Sequence, residues 1–147
     1  MAALEAAEWF SKGLEALGHD HVYLARTCFE RAAEMDLTPE SCSYLALCQA
    51  KTRGKFGDAI ELARHSIAGE PENTVHYLNL GRIYLLAGKR REAIDTFREG
   101  MKYGRNEEIV AELEKVGLRK PPPIPSLPRS HPLNKYLGIL LARLGLR

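Results

Sequence analysis

Residues 54–67, GKFGDAIELARHSI, and residues 88–101, GKRREAIDTFREGM, align without a gap at an offset of 34 residues. Gly54 and Gly88, Lys55 and Lys89, Ala59 and Ala93, Ile60 and Ile94, and Arg64 and Arg98 are pairwise identical. A further step of 34 back from Ala59 reaches Ala25, and the small, large, small series Ala25, Phe29, Ala32 parallels Ala93, Phe97, Gly100. A fixed period of this length marks a repeat architecture, in which each unit buries its apolar face only against its neighbours. Three units follow: residues 6–39, 40–73 and 74–107.

Within each unit the residue types favour two closely packed antiparallel helices. Gly13, Ala25, Ala59, Gly81 and Ala93 are small enough to let helices approach, while Trp9, Phe29, Tyr84 and Phe97 fill the space between them. Glycine inside a helix costs about 1 kcal/mol relative to alanine, so Gly13 and Gly81 need a packing reason. Thr38 before Pro39 reads as a helix cap followed by proline in the first turn, and Asn106 before Glu107 and Glu108 marks another start. In residues 107–116, EEIVAELEKV, Ile109, Val110, Leu113 and Val116 lie on one side and charges on the other. This amphipathic pattern predicts a capping helix that closes the apolar face of the last unit.

The pattern resembles the tetratricopeptide repeat family, most clearly through Trp9, Gly13, Ala25, Phe29 and Ala32 in the first unit. In the third unit Tyr77, Leu80, Gly81, Tyr84, Gly88, Ala93 and Phe97 carry the same signature. The second unit departs from it, with Ala46 and Leu47 where Leu and Gly are usual, Ala50 for an aromatic and Ala63 for Phe, yet it keeps Gly54, Ala59 and Pro71. The resemblance implies an all-α fold: a right-handed solenoid of antiparallel helix pairs, three repeats plus the capping helix within residues 1–117. It also implies a groove lined by the first helix of each repeat. Carried over by position, the residues facing a ligand are Phe10, Leu14 and Leu17, then Tyr44 and Cys48, then Val75, Leu78, Arg82 and Leu85. Ala7, Ser41 and Lys51 complete these rows. Members that grip a C-terminal carboxylate use Lys, Arg and Asn at such places; here Phe10, Leu14 and Val75 stand there, and Asn79 alone remains of that polar set. The expected groove is therefore apolar. An apolar stripe at helical spacing is also the ordinary signature of core, which competes for Leu14, Leu78 and Leu85.

Beyond the repeats the composition changes. Residues 118–132 contain KPPPIPSLPRSHP, whose prolines predict an extended linker with one PxxP. Residues 133–147, LNKYLGILLARLGLR, place Leu133, Leu137, Leu140, Leu141 and Leu144 on one helical face. The segment is too short to span a bilayer, which takes about twenty apolar residues. Its charges, Lys135, Arg143 and Arg147, are all basic. All 19 acidic residues precede position 118, together with 15 of the 21 basic ones, so the body carries −4 and the last thirty residues +6. A basic tail beside an acidic body suggests docking of one on the other, or an anionic partner.

Chemistry finds little footing in this sequence. His19 and His21 flank Asp20 without the further ligands a metal needs, and no GxxxxGK[ST] loop is present. The basic run Lys89, Arg90, Arg91 lacks the aromatic platforms of a nucleic-acid site. Cys28, Cys42 and Cys48 are odd in number and form no CxxC pair, which reads as buried free thiols. Glu5 and Glu8 within the first ten residues do not fit a secretory signal, so a cytoplasmic protein is expected. The resulting expectation is a non-enzymatic interaction module with no cofactor, no metal and no nucleic-acid partner, binding a protein or peptide segment by the helix-in-groove mode. The first candidate occupant is the tail, in the same chain or in a homodimer. Two rivals are a peripheral membrane adaptor anchored by the basic tail and a small chaperone for a secreted partner, the latter resting on family analogy.

Overall fold

The computed structural model describes residues 1–117 and 132–145 of the chain. Among the described residues eight helices follow one another: α1 (Ala2–Gly18), α2 (Val22–Met35), α3 (Pro39–Arg53), α4 (Phe56–Gly69), α5 (Thr74–Leu86), α6 (Arg90–Met101), α7 (Glu107–Gly117) and α8 (Pro132–Arg143). They fall into two units, Met1–Val116 and Gly117–Arg147. In the first, α1 pairs with α2, α3 with α4 and α5 with α6, and successive pairs stack through α2 on α3, α3 on α5 and α4 on α5. Among the described residues no helix is long and apolar enough to cross a membrane.

Local chemistry sets the helix boundaries. At α3 the Ser41 amide donates to Thr38 Oγ1 at 3.1 Å while the Thr38 amide donates to Ser41 Oγ at 3.2 Å, a reciprocal cap with Pro39 in the first turn. Asn73 caps α5 by accepting from the Val75 amide at 3.1 Å. Asn106 accepts from the amides of Glu108 and Ile109, and its own amide donates to Thr74 Oγ1 at 3.1 Å, which ties the start of α7 to the start of α5.

The turn inside each hairpin repeats as well. Gly54 has φ of 65° and Gly88 of 76°, and at the equivalent position of the first unit Asp20 adopts φ of 60°. Left-handed backbone costs an ordinary residue about 1–2 kcal/mol, and Asp is among the few side chains that visit it. Gly88 has open space where a Cβ would stand, so Gly88→Ala isolates this backbone term: a loss of about 1–2 kcal/mol is expected in urea unfolding. Gly57→Ala, at a helical and equally open position, should instead gain up to about 1 kcal/mol.

Packing between paired helices explains the interior glycines. A Cβ on Gly13 would come within 2.6 Å of the Phe29 ring, and one on Gly81 within 2.1 Å of the Phe97 ring, so each ring lies flat on bare backbone across its hairpin. The degenerate second unit solves the same problem in reverse. Leu47 stands at the position of Gly13 and Gly81, and Ala63 at that of Phe29 and Phe97; both are sealed in the same buried cluster. Bulk has moved from the second helix to the first. Trp9 differs from the expected interhelical filler: it is only half-buried, with Lys12 Nζ 4.7 Å above its ring. Its equivalent Tyr77 is buried and donates to the Pro71 carbonyl.

Helix α7 closes the opposite end. Ile109 is fully buried and meets the hollow at Gly100, and Leu113 packs on the same cluster. Helix α8 ends at Arg143 rather than running to residue 147 as expected; Gly145 follows with φ of 71°, which takes the backbone out of the helical region. The proline-rich linker and its PxxP lie outside the described residues up to position 131, as do the side chains of Leu133 and Leu137. Leu140 and Leu144 are exposed and Leu141 is half-buried.

Candidate functional site

The first helices of the three pairs, α1, α3 and α5, supply the expected groove residues, and the structure sorts these into three groups. Cys48, Leu78 and Asn79 are sealed from solvent and belong to the helix packing, which corrects their expected place on a contact surface. The reason is geometric. Helix α3 is flanked by three neighbours, α2, α4 and α5, so most of its circumference is covered. Burial pushes the Cys48 thiol up to about 12, which keeps it protonated and inert. Cys28 and Cys42 are likewise free and buried. Asn79 Nδ2 donates to Ser43 Oγ at 2.9 Å, a fully enclosed link between α5 and α3.

Arg82 forms a second group. It is not free to meet a ligand, because Nη2 pairs with Glu108 and Nε with Glu112, each at 3.2 Å. The two glutamates lie one turn apart on α7, so a single guanidinium straps the capping helix to α5.

The third group faces outward. Phe10 and Tyr44 meet edge to face at 5.6 Å between ring centroids, Phe10 lies 5.5 Å from Phe29, and Tyr44 stacks on Phe29 at 5.4 Å. This aromatic triad joins α1, α2 and α3, with Phe29 sealed below and the other two rings half-buried at the surface. Leu14 is 38% exposed beside them, and Leu17, Val75 and Leu85 are half-buried further along the face. A cavity of about 170 Å³ opens next to Phe10, bounded by Ala3, Ala6, Ala7, Ala32, Asp36, Thr38, Glu40 and Ser41.

Charge on this face departs from the purely apolar expectation. The Tyr44 hydroxyl is held above its ordinary range by burial first, then by the carboxylates of Glu108 and Glu40, against a smaller opposing effect of Arg82. Asp36, Glu40, Glu108 and Glu112 were not anticipated as site residues. The signal for one pair was present, since Glu108 and Glu112 are four apart on the charged side of a recognisable amphipathic helix. Asp36 and Glu40 flank a turn, and only the stacking of α3 on the first hairpin brings them to one cavity.

Stacked antiparallel helix pairs with a 34-residue period define a helical-hairpin repeat protein. Residues 50–115 match the family model of the tetratricopeptide repeat. Solved structures similar to this chain include the first repeat domain of Spaghetti (RPAP3) bound to the HSP90 peptide SRMEEVD, at 20% identity and TM-score 0.64, covering 78% of this chain and 94% of that one. The Sgt2 domain from Aspergillus fumigatus follows at 18% identity and TM-score 0.64, covering 77% of each chain. The OM64 domain of Arabidopsis has 14% identity and TM-score 0.64, covering 79% of this chain and 97% of that one. No curated protein matches the chain. The described elements are all helical, and their paired, stacked helices share the fold of these tetratricopeptide repeat domains.

Proposed function

We propose that the chain is a non-enzymatic interaction module that holds an apolar or amphipathic helical segment on the face formed by α1, α3 and α5. The observation that carries this reading is the pair of half-buried rings, Phe10 and Tyr44, set beside exposed Leu14 and an open cavity. Aromatic side chains offer large contact area at low entropic cost, and helix packing leaves these two partly uncovered. The RPAP3 domain of the same fold was solved with a peptide bound, which is consistent with a segment-holding role.

The tail is the first candidate occupant, either in cis or in a homodimer. Its leucines recur at helical spacing, and a dozen or so linker residues, at about 3.1 Å each if extended, would reach about 40 Å, enough for either route. Deleting residues 121–147 is expected to raise the binding of an apolar dye and to change the oligomeric state seen by light scattering. A truncated chain that keeps the oligomeric state of the full chain and gains no dye signal would sink tail docking. A second reading draws on exposed Leu140 in α8 and Leu144 just beyond it, in a tail whose charges are all basic: adsorption of the tail on an anionic bilayer. Co-sedimentation with acidic vesicles that is lost on Leu140→Asp would favour it.

A further inference from the structure

The face proposed to hold a helix is acidic as well as apolar. Glu40 and Glu108 are the carboxylates that act on the Tyr44 hydroxyl, and the one cation acting on it, Arg82, is already engaged by Glu108 and Glu112. The cavity of about 170 Å³ beside Phe10 is lined by Ala3, Ala6, Ala7 and Phe10 together with the acidic residues Asp36 and Glu40. Neither Asp36 nor Glu40 has an ion-pair partner among the described residues. Both are exposed.

We propose that this cavity is the subsite for a lysine or arginine side chain of a basic amphipathic helix. The proposal rests on the helix-holding reading above and adds the sign of the ligand's charge and the place where that charge is read. A long basic side chain lays its methylene stem along apolar surface and keeps its head in contact with water and counter-charge. The alanines and Phe10 of the lining accept the stem, and Asp36 with Glu40 meets the head. Lysine and arginine are the side chains that combine both parts. An acidic segment would meet Asp36 and Glu40 as like charges, a cost that disfavours wrong partners. Residues 133–147 of this chain have the required character, with Lys135, Arg143 and Arg147, five leucines at helical spacing and no acid.

The test uses the full-length chain carrying Leu140→Asp and Leu141→Asp, so that its own tail does not compete. A labelled peptide of residues 132–147 is titrated by fluorescence anisotropy, beside a second peptide with glutamate in place of Lys135, Arg143 and Arg147. The basic peptide is expected to bind at least about tenfold more tightly, and the advantage should shrink at about 0.5 M salt, where charges are screened within a few ångströms. Asp36→Lys with Glu40→Lys should abolish or invert the preference; both positions are exposed, and circular dichroism confirms that the fold is kept. Equal affinities, or a preference that the double variant leaves intact, overturns the cationic subsite while the helix-holding face stands. Failure of both peptides to bind overturns both readings.

Discussion

Leu47→Gly is expected to destabilise the chain by about 3–5 kcal/mol, since it removes a fully buried leucine and puts glycine inside a helix. Ala63→Phe alone should cost at least about 1–3 kcal/mol, because a ring would be driven into space that Leu47 already fills. Either change alone consumes much of the stability of a small domain, commonly about 5–15 kcal/mol. Together they rebuild the Gly–Phe arrangement of positions 13 and 29 and of positions 81 and 97, where the ring lies on bare backbone. The double variant should therefore lie within about 2 kcal/mol of the parent, a coupling well beyond the additivity of independent sites. Urea unfolding of the four proteins measures it. Additive losses would show that the second hairpin does not conserve volume across its two helices.

Ile109→Asp should be comparably severe and different in kind. A carboxylate at a fully buried position has no partner there, and loss of one paired member in such a setting costs about 3–5 kcal/mol. The predicted response is release of α7 rather than burial of the charge, because α7 is held by a short list of contacts: Ile109 at Gly100, Leu113 on the core, the Arg82 strap and the Asn106–Thr74 bond. Amides of α7 should then exchange rapidly, protection in α5 and α6 should fall next, and α1 with α2 should change least, as nearest-neighbour coupling in a repeat array requires. Uniform loss of protection across all three hairpins would contradict this local picture.

Much of the fold was legible in the residues because its signals are local or periodic. The 34-residue offset fixed the hairpin register, and the same offset relates Asp20, Gly54 and Gly88 at the left-handed turn. Thr38, Pro39 and Asn106 announce helix starts through bonds made within three residues, so no distant partner had to be known. The candidate site was legible only in outline. Period arithmetic places a residue on a helix, yet it does not say how many neighbours that helix has. Cys48 and Asn79, expected on a contact face, are buried, and so is Leu78, for which core packing competed with contact. Trp9, expected to fill space between helices, is half-exposed.

The repeat period, the two helices per unit and the turn chemistry are carried by residues near one another or spaced by a constant, and so are readable in one dimension. The tertiary structure alone decided which side chains meet. It sealed Leu47 and Ala63 into one buried cluster, gave Arg82 to Glu108 and Glu112, and brought Asp36 and Glu40 to one cavity beside Phe10. These outcomes depend on volumes and charges contributed by separate helices, and a one-dimensional period carries no term for that complementarity.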